Sequence, residues 1–154
     1  MIDDLIVEWN KISKSPYKAV TFESYDSKGQ LIYHTDCMMT LLYDHAVLSV
    51  TAIKDKKQRK NVILELTNPP QNIKPYRMLE ITRQQIEGMC ANMFNLQDSD
   101  GNQIVIMSDR ARRTFSEEKF KELTEDYTVL VANIDMIEHV GGGSARCMLA
   151  EIFK

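Results

Sequence analysis

Cys147, His34 and Asp36 are the residues whose types and spacing suit covalent chemistry on a small cation. Cys147 lies in the stretch Ile137-Glu-His-Val-Gly-Gly-Gly-Ser-Ala-Arg-Cys-Met-Leu-Ala-Glu-Ile-Phe153, just after Gly141, Gly142 and Gly143. Successive glycines are entropically costly to order. They suit backbone that approaches a ligand closely or takes positive φ, so Gly142 and Gly143 are candidate substrate-binding positions. A thiol at the mouth of an apolar strand, fed by such a loop, suits nucleophilic attack. It needs the thiolate form, which cations or backbone amides favour; Arg146 or a cationic substrate would serve. The same residues also read as a flexible Gly-Ser linker followed by a core cysteine.

His34 and Asp36 stand two apart in Tyr33-His-Thr-Asp-Cys-Met-Met39. On an extended segment such side chains point the same way, so both face one pocket, His34 as acid/base and Asp36 as ligand of a cation. A structural histidine is the other reading. Glu138 and His139 either line the site or sit in a surface loop. His45 falls in a hairpin turn and is expected to be exposed. Alternation turns Cys37 toward the core, and Cys90 is expected to be buried beside Met89 and Met93.

The elements that position these residues are legible in part. Ile2, Leu5, Ile6, Trp9 and Ile12 recur at helical spacing behind Asp3 and Asp4. Ala19–Tyr25 alternates as a strand, Asp26–Gly29 is turn chemistry, and a strand through Leu31–Tyr33 delivers His34. Met38–Tyr43 and Ala46–Ile53 read as strands joined at Asp44-His45. Lys54–Leu66 reads as a helix with a solvated basic face, stopped by Asn68-Pro69-Pro70. Met78–Ile81 is a short strand, and Thr82 with Gln85 forms a capping box. The pattern then returns: strand Ala91–Gln97, turn Asp98–Asn102, strand Gln103–Ser108, a helix capped by Ser116, and strand Thr128–Ile134. A strand–strand–helix–strand unit thus appears twice, Met148–Phe153 begins a third, and repetition at this period suggests a repeat or propeller architecture.

The chain has 154 residues, a net charge of −3 and 44% hydrophobic residues, enough for one domain with its own core. That charge leaves no electrostatic footprint for nucleic acid. No apolar run is long enough to cross a membrane, and the N-terminus has no basic signal-peptide region. Three irregularly spaced cysteines make neither a disulfide framework nor a zinc site. We therefore expect a reducing, cytoplasmic setting, no metal and no cofactor.

The segment Gly141–Phe153, preceded by His34-Thr-Asp-Cys-Met-Met39, resembles the guanidino-group-modifying enzymes. This superfamily holds arginine deiminases, dimethylarginine hydrolases and glycine amidinotransferases. The arginine deiminase-related branch, which includes citrulline-utilisation hydrolases and amidinotransferase-like proteins, is the most similar. The likeness runs through Pro16–Phe22, Ala91-Asn92-Met93 and Ile104–Ser108 as well.

The resemblance implies an α+β fold, part of an α/β propeller (the pentein fold) built from strand–strand–helix–strand repeats. It implies that Cys147 attacks the guanidinium carbon, that His34 protonates the leaving amine and then activates water or an acceptor amine, and that Asp36 holds the guanidinium. It also marks Asn92 as a possible substrate contact. Members are roughly twice this length, so residues 1–154 are expected to form a single domain equivalent to the C-terminal half. A missing N-terminal half or a homo-oligomer would then complete the acidic clamp. Two other readings stand beside this one. The chain is a non-catalytic binding or assembly module, or it is a cysteine hydrolase of amides with the Gly141–Gly143 amides as oxyanion hole.

Overall fold

Residues 2–14, 17–70 and 73–152 are described by a computed structural model. The first helix, α1 (Ile2–Ile12), forms where the helical spacing predicts it, with Asp3 and Asp4 at its positive end. It buries none of its side chains. From Tyr17 to Tyr33 the chain is irregular. In place of the expected strand over Ala19–Tyr25 and its partner at Leu31–Tyr33 there is one isolated bridge, Tyr25 to Leu31, around the Asp26–Gly29 turn. Alternating sequence makes a strand only where a neighbour completes the ladder, and here none does.

Two strand–strand–helix–strand units follow. In the first, β1 (Met39–Leu41) pairs antiparallel with β2 (His45–Leu48), which pairs parallel with β3 (Arg77–Glu80). The parallel step needs a long crossover, supplied by α2 (Lys56–Thr67). Asp55 caps that helix by accepting from the Gln58 amide, and its lysines face solvent as expected. A short helix, α3 (Arg83–Glu87), opens on the Thr82–Gln85 capping box.

The second unit repeats the order: β4 (Phe94–Gln97) antiparallel to β5 (Gln103–Ser108), and β5 parallel to β6 (Thr128–Ala132). Its crossover is α4 (Asp109–Thr114), capped by Ser108, then α5 (Glu117–Asp126), capped by Ser116. A last helix, α6 (Asp135–Gly141), occupies residues that the sequence suggested were loop. Met148–Phe153 does not begin a third strand. Ala145–Met148 is a 3-10 turn, the chain to Ile152 is irregular, and Phe153, like Pro16, lies outside the described residues.

The architecture is therefore mixed α+β, with two three-stranded sheets and six α-helices among the described residues. The central strands β2 and β5 carry the most buried positions, as strands covered on both faces should. One apolar cluster joins both units, from Val47, Leu48 and Leu79 to Val105, Met107 and Leu123. Leu123, the one buried residue of α5, is fully enclosed, and truncating it to Ala should cost about 2–5 kcal/mol. Among the described residues no helix is long and apolar enough to cross a membrane.

Candidate active site

Three short segments converge on one cleft, and the first two lead into the first strand of a unit. The first is Tyr33–Met38. His34 is extended (φ −110°, ψ 115°), and Thr35–Cys37 then turns as a 3-10 helix into β1. The second is Gly88–Met93, a turn after α3 that enters β4. The third is Gly143–Met148, which follows α6 and carries Cys147 on its own 3-10 turn. Cys37, Asn92 and Cys147 hold the same place in the three segments, each followed by Met. Asn92 and Cys147 are 55 residues apart, the same interval as from 37 to 92.

The cleft has a volume of about 420 Å³ and is lined by Tyr33, His34, Asp36, Cys37, Met89, Asn92, Gly141, Gly142, Gly143 and Cys147. That is room for a small, amino-acid-sized ligand. A larger groove of about 680 Å³ beside α2, lined by residues such as Asp55, Lys57 and Asn61, holds neither a cysteine nor a histidine.

All five candidate residues thus meet in one place: Cys147, His34, Asp36, Gly142 and Gly143. The Cys147 thiol is exposed, and its Sγ lies 3.8 Å from Asp36 Oδ2. Asp36 Oδ1 lies 4.0 Å from His34 Nδ1, and His34, exposed at the rim, packs its ring against Tyr33 at a 50° tilt with centroids 4.7 Å apart. The shared orientation of His34 and Asp36 comes from the 3-10 turn rather than from strand alternation. Gly143 is where backbone closely approaches the thiol: a Cβ built there would sit 2.9 Å from Cys147 Cβ and 3.1 Å from Sγ. Gly142 ends α6 in the left-handed region at φ +72°.

Several expectations need correction. Cys37 is half-buried and lines the cleft instead of turning into the core, because the 3-10 turn breaks the alternation. Burial pushes its thiol pKa up, with Asp36 and Cys147 adding to the effect. Cys147 lies on a turn, not at the mouth of a strand. Arg146 places its guanidinium over the Phe94 ring, 5.6 Å from the centroid. His45 is fully buried in β2, where Nδ1 meets the Tyr127 hydroxyl at 3.2 Å.

Glu138 is buried too: it accepts from the Ser144 hydroxyl, while Arg110 Nη1 stands 3.9 Å from its other oxygen. His139 is exposed, as a surface reading has it. Cys90 is buried as expected, in the same apolar cluster as Met93, while Met89 lines the cleft; burial pushes the Cys90 pKa up to about 12.

Asn92 has the most connections in the site. Its side chain is buried, its Oδ1 accepts from the Arg146 amide at 3.0 Å, and its Nδ2 reaches Cys147 Sγ at 3.2 Å and the Asp36 carbonyl at 3.4 Å. The signal that could have found it is the 55-residue interval that aligns it with both cysteines. Among the described residues no three His, Cys, Asp or Glu side chains gather to hold a metal ion.

The arrangement offers an accessible sulfur, a carboxylate beside it and an imidazole at the rim, which suits attack on a planar cation. A family model for eukaryotic N,N dimethylarginine dimethylhydrolase matches residues 7–154. No curated protein matches the chain. With nearly its full length matched, the chain belongs to the dimethylarginine dimethylhydrolase family, whose members hydrolyse guanidino groups.

Proposed function

We propose that this chain hydrolyses the guanidino group of arginine or an N-methylated relative through a covalent intermediate on Cys147. The observation that carries this reading is the meeting of Cys147 Sγ with Asp36 Oδ2 at 3.8 Å across 111 residues of sequence, in a cleft that His34 also lines. The Asp36 carboxylate accepts from the N–H groups of the planar cation. The Cys147 thiolate attacks the guanidinium carbon. The C–N bond to the leaving amine then breaks, the amine takes its proton from His34, and a thiouronium remains on sulfur. His34, now neutral, takes a proton from water as the water oxygen attacks the same carbon. The C–S bond breaks, the ureido product departs (citrulline where the substrate is an arginine) and the thiolate returns. Splitting one hard displacement into two is the gain of covalent catalysis. We infer also that the two units are blades of an α/β propeller.

Asp36 is the single carboxylate among the described residues that line the cleft. This favours a second reading, a binding or assembly module whose turnover needs acidic groups from a second copy or another chain. Labelling with a haloacetamidine, located by mass spectrometry, separates the two. Selective modification of Cys147 that Cys147→Ser abolishes, Asp36→Ala slows and arginine-like guanidines prevent supports the enzyme. Equal, slow modification of Cys37, Cys90 and Cys147 without protection overturns it. Release of a ureido product without an acceptor amine distinguishes hydrolysis from amidino transfer.

A further inference from the structure

We infer that Asn92 is a positioning residue for the nucleophile, holding the Cys147 sulfur at the mouth of the cleft through its side-chain N–H; this rests on the reading of Cys147 as nucleophile. The side chain is almost wholly enclosed, at 1% exposure, and a buried amide keeps its hydrogen bonds. Its orientation follows from its partners. The Arg146 amide is a donor and lies 3.0 Å from Oδ1, so Oδ1 must accept there. That leaves Nδ2 facing two acceptors, Cys147 Sγ at 3.2 Å and the Asp36 carbonyl at 3.4 Å, while Oδ1 stands farther from the same sulfur, at 3.6 Å. One side chain from the second segment thus ties the backbone beside the first segment's carboxylate to the backbone and sulfur of the third.

The consequence for chemistry is directional. Cys147 is exposed and sits on a short turn next to glycines, so little else restrains its side-chain rotation. Rotation of the sulfur away from Asp36 would separate the nucleophile from the cation it attacks, and misplacement of reacting atoms is costly. Two N–H···acceptor contacts from one buried amide hold the sulfur against the backbone of Asp36. The interval of 55 residues explains why an amide can do this. Asn92 occupies the position that is Cys37 and Cys147 in the flanking segments, so its side chain points at the same centre.

Two variants separate the N–H from the mere filling of space. Asn92→Asp keeps an oxygen for the Arg146 amide but has no N–H for sulfur, whereas Asn92→Ala removes both. The readout is the rate of Cys147 modification by haloacetamidine relative to neutral iodoacetamide, with the melting midpoint followed in parallel. We expect the haloacetamidine rate to fall about tenfold in both variants, the scale of one lost hydrogen bond, and the ratio of the two reagents to fall as well. An Asn92→Asp rate within about twofold of the parent overturns the inference, even where the melting midpoint drops.

A second measurement needs no folded variant. In the parent chain, without substitutions, the Asn92 side-chain amide resonances should move when Cys147 is alkylated, and their failure to move overturns the inference too. Loss of Cys147 selectivity in the parent chain itself overturns the nucleophile reading and this inference with it. Parent selectivity that survives in both variants overturns this inference alone.

Discussion

The buried carboxylate of Glu138 accepts a hydrogen bond from the buried hydroxyl of Ser144, across the glycine run that precedes the thiol. The Ser144 carbonyl in turn accepts from the Cys147 amide at 3.0 Å, which closes the turn that presents the sulfur. The last helix and Cys147 are therefore mechanically joined, although Gly142 and Gly143 lie between them. Glu138 does this at some cost, since its Oε2 is buried with no hydrogen-bond partner and Arg110 stands off at 3.9 Å.

Removing the hydroxyl should be felt in both stability and reactivity. Ser144→Ala leaves a buried carboxylate without its donor, an effect of roughly 2 kcal/mol. We expect a lowered melting midpoint together with slower haloacetamidine labelling of Cys147. Glu138→Gln keeps an oxygen for Ser144 and removes the charge, so its loss should be smaller. Thermal melts of the two variants check this, and an unchanged midpoint in Ser144→Ala shows that the bond does not matter.

The three thiols should react in a fixed order. Cys147 is exposed, Cys37 is half-buried, and Cys90 is buried with its pKa pushed up to about 12. Burial also raises the pKa of Cys37, reinforced by Asp36. Because the thiolate is the reactive form, a neutral alkylating agent at pH 7.5 should modify Cys147 first, Cys37 slowly and Cys90 only on unfolding. Peptide mapping over time reads the order directly. Cys37 reacting as fast as Cys147 would mean that the turn at Thr35–Cys37 is more open than its geometry indicates.

Acid should destabilise the fold through His45. Burial lowers its pKa from the ordinary 6.5, and Arg77 lowers it further against opposing pulls from Asp126, Glu122 and Asp44. The folded chain therefore refuses a proton that the unfolded chain accepts. Stability from this group is fully present above about pH 6.5 and is lost as pH falls below it, at no more than about 1.4 kcal/mol per pH unit. Melting midpoints between pH 5 and 7.5 should fall toward acid, and His45→Gln should flatten that slope. An unaltered slope in the variant assigns the acid sensitivity elsewhere.

Local signals in the sequence proved readable where chemistry acts over a few residues. The bounds of β5, the capping box at Thr82 and Gln85, and the cap at Ser116 are each set by side chains within one turn of each other. Tertiary contacts were hidden. His45 looks like a turn residue beside Asp44, but the Tyr127 hydroxyl, far along the chain, accepts the Asp44 amide and meets the His45 ring. Helix α6 was missed because Ile134 offers no side-chain cap and the glycines at its end look like loop. Asn92 was undervalued for a similar reason. The likeness at Ala91-Asn92-Met93 marked it as a substrate contact, whereas its place beside the thiol is signalled by the 55-residue interval to Cys147.

The three glycines should differ sharply in what a methyl group does. At Gly141 an added Cβ meets nothing within 4 Å, so Gly141→Ala should be close to neutral. At Gly142 there is equal space, but φ is +72°, a conformation that costs an L-residue about 1–2 kcal/mol. Gly142→Ala should therefore lower the melting midpoint and fray the end of α6, while labelling of Cys147 changes little in the fraction that is folded. At Gly143 the new Cβ would stand 2.9 Å from Cys147 Cβ and 3.1 Å from Sγ, so the Cys147 side chain itself must move. Cys147 is exposed and free to swing outward, which relieves the contact at little cost in stability but takes the sulfur from its place beside Asp36 and Asn92. We expect Gly143→Ala to lose at least about tenfold in Cys147 labelling and in guanidine hydrolysis, with a melting midpoint near the parent value. Stability falling at Gly142 and reactivity at Gly143 would separate a helix stop from a thiol rest within one tripeptide. Equal loss of reactivity at Gly141 would instead mean that flexibility of the whole run, rather than clearance at Gly143, is what the site uses.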